Sequence, residues 1–121
     1  MLAHVVDVAQ ALGPAASPTA LCAALLHDIP ADTTWTVEDL SSLGVDAMAC
    51  EAIDILTRRS GETYISYIRR ICDAPGLAGE TARLITVADL TVSYARTNSD
   101  ALRERYDWTL PLLQGALTRV S

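Results

Sequence analysis

Apolar residues recur at helical spacing along this 121-residue sequence, and proline, glycine and polar turn signals separate the segments that carry them. Ala and Leu dominate, whereas the alternating β-branched runs that are typical of strands are scarce. Ser17 and Pro18 indicate the start of a helix from Thr19 to His27 that is apolar almost all round, so we expect it to lie centrally. The sequence predicts an all-α fold, a single bundle of six to seven helices over residues 1–121.

The other predicted helices are separated by turn signals. Pro30 and the polar residues after it predict a loop, and Thr36 with Asp39 three residues later indicates a capping box for a short helix that ends at Gly44. The last segment is predicted to form one helix or a helix pair, and Pro111 is the place where a jog could occur. Besides the two helices above, helical segments are predicted at residues 2–12, from Asp46 up to Arg58, and at residues 63–71, 77–94 and 100–117.

The composition limits the class of protein. Hydrophobic residues make up 50% of the chain and none is Phe, so we expect one core of Leu, Ile, Val and Ala. Cys22, Cys50 and Cys72 show neither a C-x-x-C spacing nor a disulfide framework, which favours buried thiols in a reducing, cytoplasmic compartment. No segment reaches the ~18 consecutive apolar residues of a membrane span, and residues 1–12 do not resemble a signal peptide.

The charge balance bears on possible partners. The net charge of −6 argues against a nucleic-acid partner, because a nucleic-acid surface requires clustered positive charge. The few basic residues gather locally, and such pairs usually form solvated helix faces. They are Arg58 with Arg59, Arg69 with Arg70, and Arg103 with Arg105.

Four polar residues stand out because each lies in a predicted helix that is otherwise suited to burial. They are His4, His27, Asp28 and Asp89. Taken singly, each could be a hydrogen-bonded or paired core residue. Together they offer two imidazoles and two carboxylates from three helices, which suits one divalent transition metal ion such as Mn²⁺, Fe²⁺, Zn²⁺ or Ni²⁺. Such a set also leaves coordination positions open for water and substrate.

Five segments form an ordered set of motifs. They are A-A-L-L-H-D at residues 23–28 with Asp32-Thr33, T-V-E-D-L at 36–40 with Gly44, L-T-R-R-S-G-E-T-Y at 56–64 with Tyr67, A-D-L at 88–90, and R-E-R-Y at 103–106. This set resembles the HD-domain metal-dependent phosphohydrolases, and within them the small branch related to (p)ppGpp hydrolases. The resemblance covers nearly the whole chain, and Mn²⁺ is the metal that it favours.

The resemblance implies a role for each candidate residue. His4, His27, Asp28 and Asp89 would bind the metal ion, which lowers the pKa of a bound water. Asp32 would orient or deprotonate that water. Arg58, Arg59 and Tyr64 are the candidates to contact the phosphate or base of the substrate, since a guanidinium pairs bidentately with phosphate oxygens. The alternative for the two arginines is a solvated helix C-terminus.

The sequence also departs from the family pattern. Ala31 stands where the pattern has Glu, Thr86 where it has Lys, and Ser93 where it has Asn. The basic helix that precedes the first His in relatives has no counterpart before His4. The metal ligands are therefore intact, whereas the substrate contacts are reduced.

These observations leave three hypotheses for function. The first is a single-metal phosphohydrolase that acts on a nucleotide or another small phosphorylated molecule. The second is a degenerate HD module that keeps its metal and binds a ligand or partner without turnover, since buried carboxylates without a cation are costly. The third is a purely structural helical domain in which His27 and Asp28 pair with neighbouring groups. We also expect a homodimer, because a second subunit could cover the flank that the absent helix would leave exposed.

Overall fold

The computed structural model describes residues 2–120, with side chains from residue 3 to residue 117. In this range the chain forms seven helices of six or more residues and one four-residue helical turn, which confirms the prediction of an all-α fold. In order they are α1 (Leu2–Ala11), α2 (Pro18–Leu26), α3 (Ile29–Asp32), α4 (Val37–Ser42), α5 (Ala47–Leu56), α6 (Tyr64–Asp73), α7 (Gly76–Arg96) and α8 (Asp100–Val120).

Helices α2, α4, α5 and α6 each begin at a side chain that accepts a hydrogen bond from the first turn. Ser17 caps α2, Asp46 caps α5 and Thr63 caps α6, each through the backbone N–H three residues later. At α4 the predicted capping box is present, since Thr36 and Asp39 each accept a bond from the other's backbone N–H. Each such cap typically contributes about 1 kcal/mol, so these starts are specified by local sequence.

The centre of the bundle is α7, which packs against α1, α2, α5, α6 and α8. The expectation that the apolar helix α2 lies at the centre is met on one face only. Ala23 and Ala24 of α2 are fully buried, whereas Leu21 and Leu25 are 36% and 43% exposed. The core around α7 is built of alanine and branched aliphatic residues, among them Val8, Ile53, Ile71, Ile85 and Leu113.

Pro30 behaves differently from the sequence-based expectation, whereas Pro111 agrees with one of its two alternatives. Pro30, predicted to lie in a loop, is the second residue of the single turn α3, where a proline loses no helical hydrogen bond. Pro111 lies inside α8, which continues through it as one helix. It is exposed, as is Asp107 four residues earlier, so water can solvate the carbonyl that Pro111 leaves without a donor.

Within residues 2–120, none of the helices combines the length and apolar character that a membrane crossing requires.

Candidate metal centre

The four residues nominated as metal ligands meet at one place, which we call the His–Asp cluster (His4, His27, Asp28 and Asp89). Nε2 of His4 lies 2.8 Å from Oδ1 of Asp89. Nε2 of His27 lies 3.3 Å from Oδ2 of Asp89 and 3.2 Å from Oδ1 of Asp28. The structure therefore brings together groups that are up to 85 residues apart in the chain.

Helix ends and helix packing position these groups. His27 is the residue at which α2 ends, and Asp28 directly precedes α3, so the two lie in the junction between these helices. His4 lies on α1 and Asp89 on α7, and these two helices pack against each other. On the same two helices, Asp7 of α1 forms an ion pair with Arg96 of α7.

The orientation of His27 is fixed by the backbone of its own helix. Nδ1 of His27 lies 2.6 Å from the carbonyl oxygen of Ala24, and a carbonyl can only accept, so Nδ1 carries a proton and donates it. In a neutral imidazole the other nitrogen then presents a lone pair. That nitrogen, Nε2, faces the carboxylates of Asp28 and Asp89. A lone pair and two carboxylates are stable together only with a cation among them, either a proton or a metal ion.

The pKa values of the cluster respond to burial and to this proximity. Burial lowers the pKa of His27, but the hydrogen bonds to Asp89 and Ala24 and the nearby carboxylates outweigh it, so the pKa is raised. Burial raises the pKa of Asp28. Burial also acts to raise the pKa of Asp89, but the hydrogen bonds and charges of His27 and His4 hold it below its ordinary value. The cluster therefore favours positive charge at its centre.

The donor set fits a divalent ion by its chemistry, since imidazole nitrogens and carboxylate oxygens are common ligands of divalent transition metals. Its spacing is different: among the described residues, no three donor groups are arranged around a common point as a metal cage. Asp89 is instead hydrogen-bonded directly to both imidazoles. A metal ion would replace these hydrogen bonds.

A cavity of about 210 Å³ opens beside the cluster, and we call it the site cavity. His27 and Asp89 line one side of it. Its other walls are mainly apolar and aromatic. They include Leu56, Ile68, Ile85, Leu90, Tyr64, Tyr67 and Tyr106.

The cation of the site cavity is Arg105 of α8. Its guanidinium lies 4.3 Å from the centre of the Tyr64 ring, a cation–π contact. The rings of Tyr64 and Trp108 pack edge to face, with ring centres 5.9 Å apart. Arg105 makes no salt bridge in the described part of the chain. Since stacking uses the face of the guanidinium, its N–H groups are available for an anion.

The two arginines predicted to contact phosphate lie elsewhere. Nε of Arg58 donates to the carbonyl oxygen of Glu62 at 3.0 Å. Arg59 pairs with Asp54 at 3.1 Å and donates to the carbonyl oxygens of Asp54 and Thr57, and it lines a different cavity. Its contacts match the alternative of a capped helix C-terminus. Of the three residues predicted to contact substrate, Tyr64 is the one that lines the site cavity.

The residue predicted to handle the water proton, Asp32, is the last residue of α3 and is exposed. Its charge contributes to the raised pKa of Asp28, so it lies within electrostatic reach of the cluster. The neighbouring Ala31 is exposed as well. The other two departures from the family pattern, Thr86 and Ser93, both line the site cavity. Two of the three departures from that pattern therefore lie at the site cavity.

Three residues that line the site cavity were not predicted as site residues from the sequence: Tyr67, Arg105 and Tyr106. All three lie in motifs that were recognised in the sequence, Tyr67 after L-T-R-R-S-G-E-T-Y and the other two in R-E-R-Y, and these motifs could have pointed to them. The packing of α6 against α8 is what brings them together.

No protein-family model and no curated protein matches the chain. Its functional interpretation therefore rests on the chemistry of the His–Asp cluster and the site cavity.

Proposed function

We propose that this protein is a metal-dependent phosphohydrolase of the HD type, acting on a nucleotide or another small phosphorylated molecule. One observation carries the proposal: Nε2 of His27 faces Asp28 and Asp89 while Nδ1 is committed to the Ala24 carbonyl. That arrangement calls for a cation. The motif resemblance and the neighbouring cavity support a catalytic use of it.

His4, His27, Asp28 and Asp89 would hold one divalent transition metal ion, with Mn²⁺ as the first choice. When bound, such an ion lowers the pKa of a coordinated water and neutralises charge on a phosphoryl oxygen. The imidazole of His27 is well suited as a ligand, since its other nitrogen is anchored on a backbone carbonyl that fixes the ring and its tautomer.

Arg105 is the group that we propose to bind the phosphoryl oxygens. It lies at the same cavity as His27 and Asp89, and the ring of Tyr64 holds its guanidinium in place. A stacked guanidinium can donate two parallel hydrogen bonds to phosphate. Tyr64 would thus act by positioning Arg105 as well as by contacting the substrate.

Hydrolysis requires one proton transfer. A water oxygen forms a bond to phosphorus, the bond between phosphorus and the leaving oxygen breaks, and the leaving oxygen keeps the electron pair and gains a proton from the water. Asp32 is the carboxylate that we propose to accept this proton and pass it on. Its exposed position near Asp28 supports this role, because it is open to water.

The second candidate function is a metal-keeping HD module that binds a ligand or partner without turnover. Ala31 favours it, because the position that carries a carboxylate in the family pattern is occupied by an exposed methyl group. In this case the metal would stabilise the fold, and the site cavity would bind a ligand without converting it.

A homodimer and a cytoplasmic location complete the proposal. Leu77 and Leu84 lie two turns apart on α7, are 61% and 42% exposed, and flank a second cavity with Leu12. This apolar face supports the dimer. Size-exclusion chromatography with light scattering tests it: the wild type should elute as a dimer and Leu84→Glu as a monomer, whereas a monomeric wild type would contradict it.

The test of function has two parts. Elemental analysis of protein purified without added metal should find about one divalent transition metal ion per chain. Mn²⁺-loaded protein should then release phosphate from members of a panel of nucleotides and other phosphate esters, and Asp28→Asn and Asp32→Asn should abolish the release. Bound metal without any turnover would favour the binding module. Absence of metal, with an unchanged melting temperature in His27→Ala, would refute both.

A further inference from the structure

We infer that the site cavity selects phosphate monoesters with one compact apolar or aromatic group, and disfavours polyphosphates. This inference rests on the proposed function and narrows its substrate class. It follows from the size, the lining and the charge of the cavity.

Size gives the first limit. The cavity volume is about 210 Å³, whereas pockets for drug-sized ligands measure roughly 300–1,000 Å³. A single ring fits within this volume, and a base together with a ribose and several phosphates exceeds it. The deep walls are fixed, because Ile68 and Ile85 are 1% and 0% exposed and belong to packed helices.

The lining gives the second limit. Two of the hydroxyl groups at the cavity are already engaged: that of Tyr67 donates to the Leu56 carbonyl at 2.6 Å, and that of Thr86 to the Ala82 carbonyl at 2.8 Å. Much of the wall therefore presents ring faces and aliphatic groups, which favour an apolar body. Asp89 and Arg105 supply the ionic groups at this cavity. The phosphoryl group consequently lies beside them, and the organic group points toward Ile68.

Charge gives the third limit. Three carboxylates, those of Asp28, Asp32 and Asp89, lie at or near the cluster, and Arg105 is the cation that lines the cavity. Arg70, whose guanidinium lies over Tyr67, is paired with Glu62 at 2.8 Å. One divalent ion and one guanidinium can balance a single phosphoryl dianion beside these carboxylates. The additional charges of a triphosphate would face the carboxylates without a partner.

The reaction that follows is the hydrolysis of a phosphate monoester. A water oxygen bonds to phosphorus, the ester oxygen leaves with the bonding electron pair and takes one proton from the water, and the products are an alcohol or phenol and inorganic phosphate.

The first experiment compares substrates on Mn²⁺-loaded protein. We expect kcat/KM for phenyl phosphate to exceed those for 1-naphthyl phosphate and ATP by about tenfold or more, because differences of this size are typical of steric discrimination in apolar pockets. Calorimetry with phenylphosphonate, which is not hydrolysed, should show binding that ATP displaces poorly. Equal or faster turnover of ATP would overturn the inference.

The second experiment changes the wall of the cavity. Ile68→Val removes one methylene from the lining, and we expect the ratio of kcat/KM for 1-naphthyl to phenyl phosphate to rise by about tenfold. Ile71→Val is the matched control, because Ile71 is a fully buried isoleucine of the same helix that does not line the cavity. An equal change of the ratio in both variants would contradict a steric limit at Ile68.

The outcomes separate this inference from the proposed function. Turnover of ATP without turnover of phenyl phosphate overturns the substrate class and leaves the phosphohydrolase intact. Binding of phenylphosphonate without any turnover supports the ligand class and refutes catalysis. Failure of both binding and turnover refutes the two proposals together.

Discussion

Nδ1 of His27 donates a hydrogen bond to the carbonyl oxygen of Ala24 at 2.6 Å, three residues earlier in the chain. The imidazole is thereby oriented by the last turn of α2. Its other nitrogen, Nε2, then faces the carboxylates of Asp28, just before α3, and of Asp89 on α7. Because one imidazole nitrogen is fixed in this way, the side chains around the other nitrogen form a site that favours a cation.

The first prediction concerns Asp89, whose carboxylate contacts both imidazoles. Asp89→Asn removes the charge and replaces one acceptor oxygen by a donor. We expect the affinity for Mn²⁺ to fall by about 100-fold or more, since even indirect partners of metal ligands contribute 10- to 100-fold. Calorimetric titration measures this. The control is Asp107→Asn, which removes an exposed carboxylate of α8. Equal affinity in the Asp89 and Asp107 variants would refute the metal site.

The second prediction compares two arginines as phosphate contacts. Arg105→Gln should raise KM about tenfold, because it removes the charge-assisted hydrogen bond to phosphate that we propose for Arg105 at the site cavity. Arg59→Gln should raise KM less, because Arg59 is engaged with Asp54 outside this cavity. Steady-state kinetics of the two variants on one substrate show which arginine contacts phosphate. Arg69→Gln, at an exposed position, is the control. A larger effect at Arg59 would restore it as the contact.

The third prediction concerns acid stability. Hydrogen bonds from Arg70 and from the backbone of Arg59 lower the pKa of Glu62 from its ordinary 4.5 to about 2. A carboxylate with a depressed pKa stabilises the fold above its unfolded pKa and loses that contribution as the pH falls through the folded pKa. The melting temperature of Glu62→Gln should therefore be lower than that of the wild type at pH 7. This difference in melting temperature should shrink as the pH falls from about 4.5 toward 2.

Thermal melts over this pH range measure the effect. Glu104→Gln serves as the control, because Glu104 is exposed on α8. A difference between the wild type and Glu62→Gln that stays constant from pH 7 to pH 2.5 would argue against the Arg70–Glu62 pair as its cause.

The fourth prediction concerns Arg83, which is 2% exposed. Its Nη1 donates to the carbonyl oxygens of Ile71, Cys72 and Ala74 and so closes the end of α6. Arg83→Met removes this shared donor, and we expect the free energy of unfolding to fall by about 3 kcal/mol. The buried Nε of Arg83 has no hydrogen-bond partner in the described structure, which offsets part of the loss. Urea denaturation measures the free energy of unfolding, and Arg69→Met is the control. Equal stability of the Arg83→Met variant and the wild type would contradict the prediction.

The fifth prediction uses two helical glycines. A Cβ at Gly79 would overlap the carbonyl oxygen of Ala74, whereas one at Gly115 meets nothing within 4 Å. We expect Gly79→Ala to destabilise the protein by about 2 kcal/mol or more through overpacking. Gly115→Ala should stabilise it by roughly 0.5–1 kcal/mol through the higher helix propensity of alanine. Denaturation of both variants tests the pair, and the same sign for both would contradict it.

Local features of the fold could be predicted from the sequence because they depend on chain neighbours. Thr36 and Asp39 predict a capping box, and both of its hydrogen bonds are present. Pro30 predicts a loop, but the structure has the helical turn α3 at this point. Proline ends a helix when it lies in the interior, yet it is also favoured in the first turn of one, and the sequence alone does not separate these two cases. The composition could not reveal that α7 rather than α2 occupies the centre, since that depends on which helices pack together.

The candidate site divides in the same way. His4, His27, Asp28 and Asp89 could be nominated because polar residues in apolar helices are conspicuous, and the structure brings them together. The proposed role of Arg105 depends instead on its contact with the ring of Tyr64, which lies 41 residues earlier in the sequence. The packing of α6 against α8 makes this contact. No spacing within a helix encodes such a contact.

His4 and Asp89 are separated by 85 residues, so the unfolded chain does not hold the His–Asp cluster together. An ion that binds at this cluster therefore binds the native state in preference to the unfolded state. By mass action, each tenfold rise in free ion above its Kd adds about 1.4 kcal/mol to the free energy of unfolding. The supply of metal in the cell would then set the lifetime of the protein as well as the occupancy of its site.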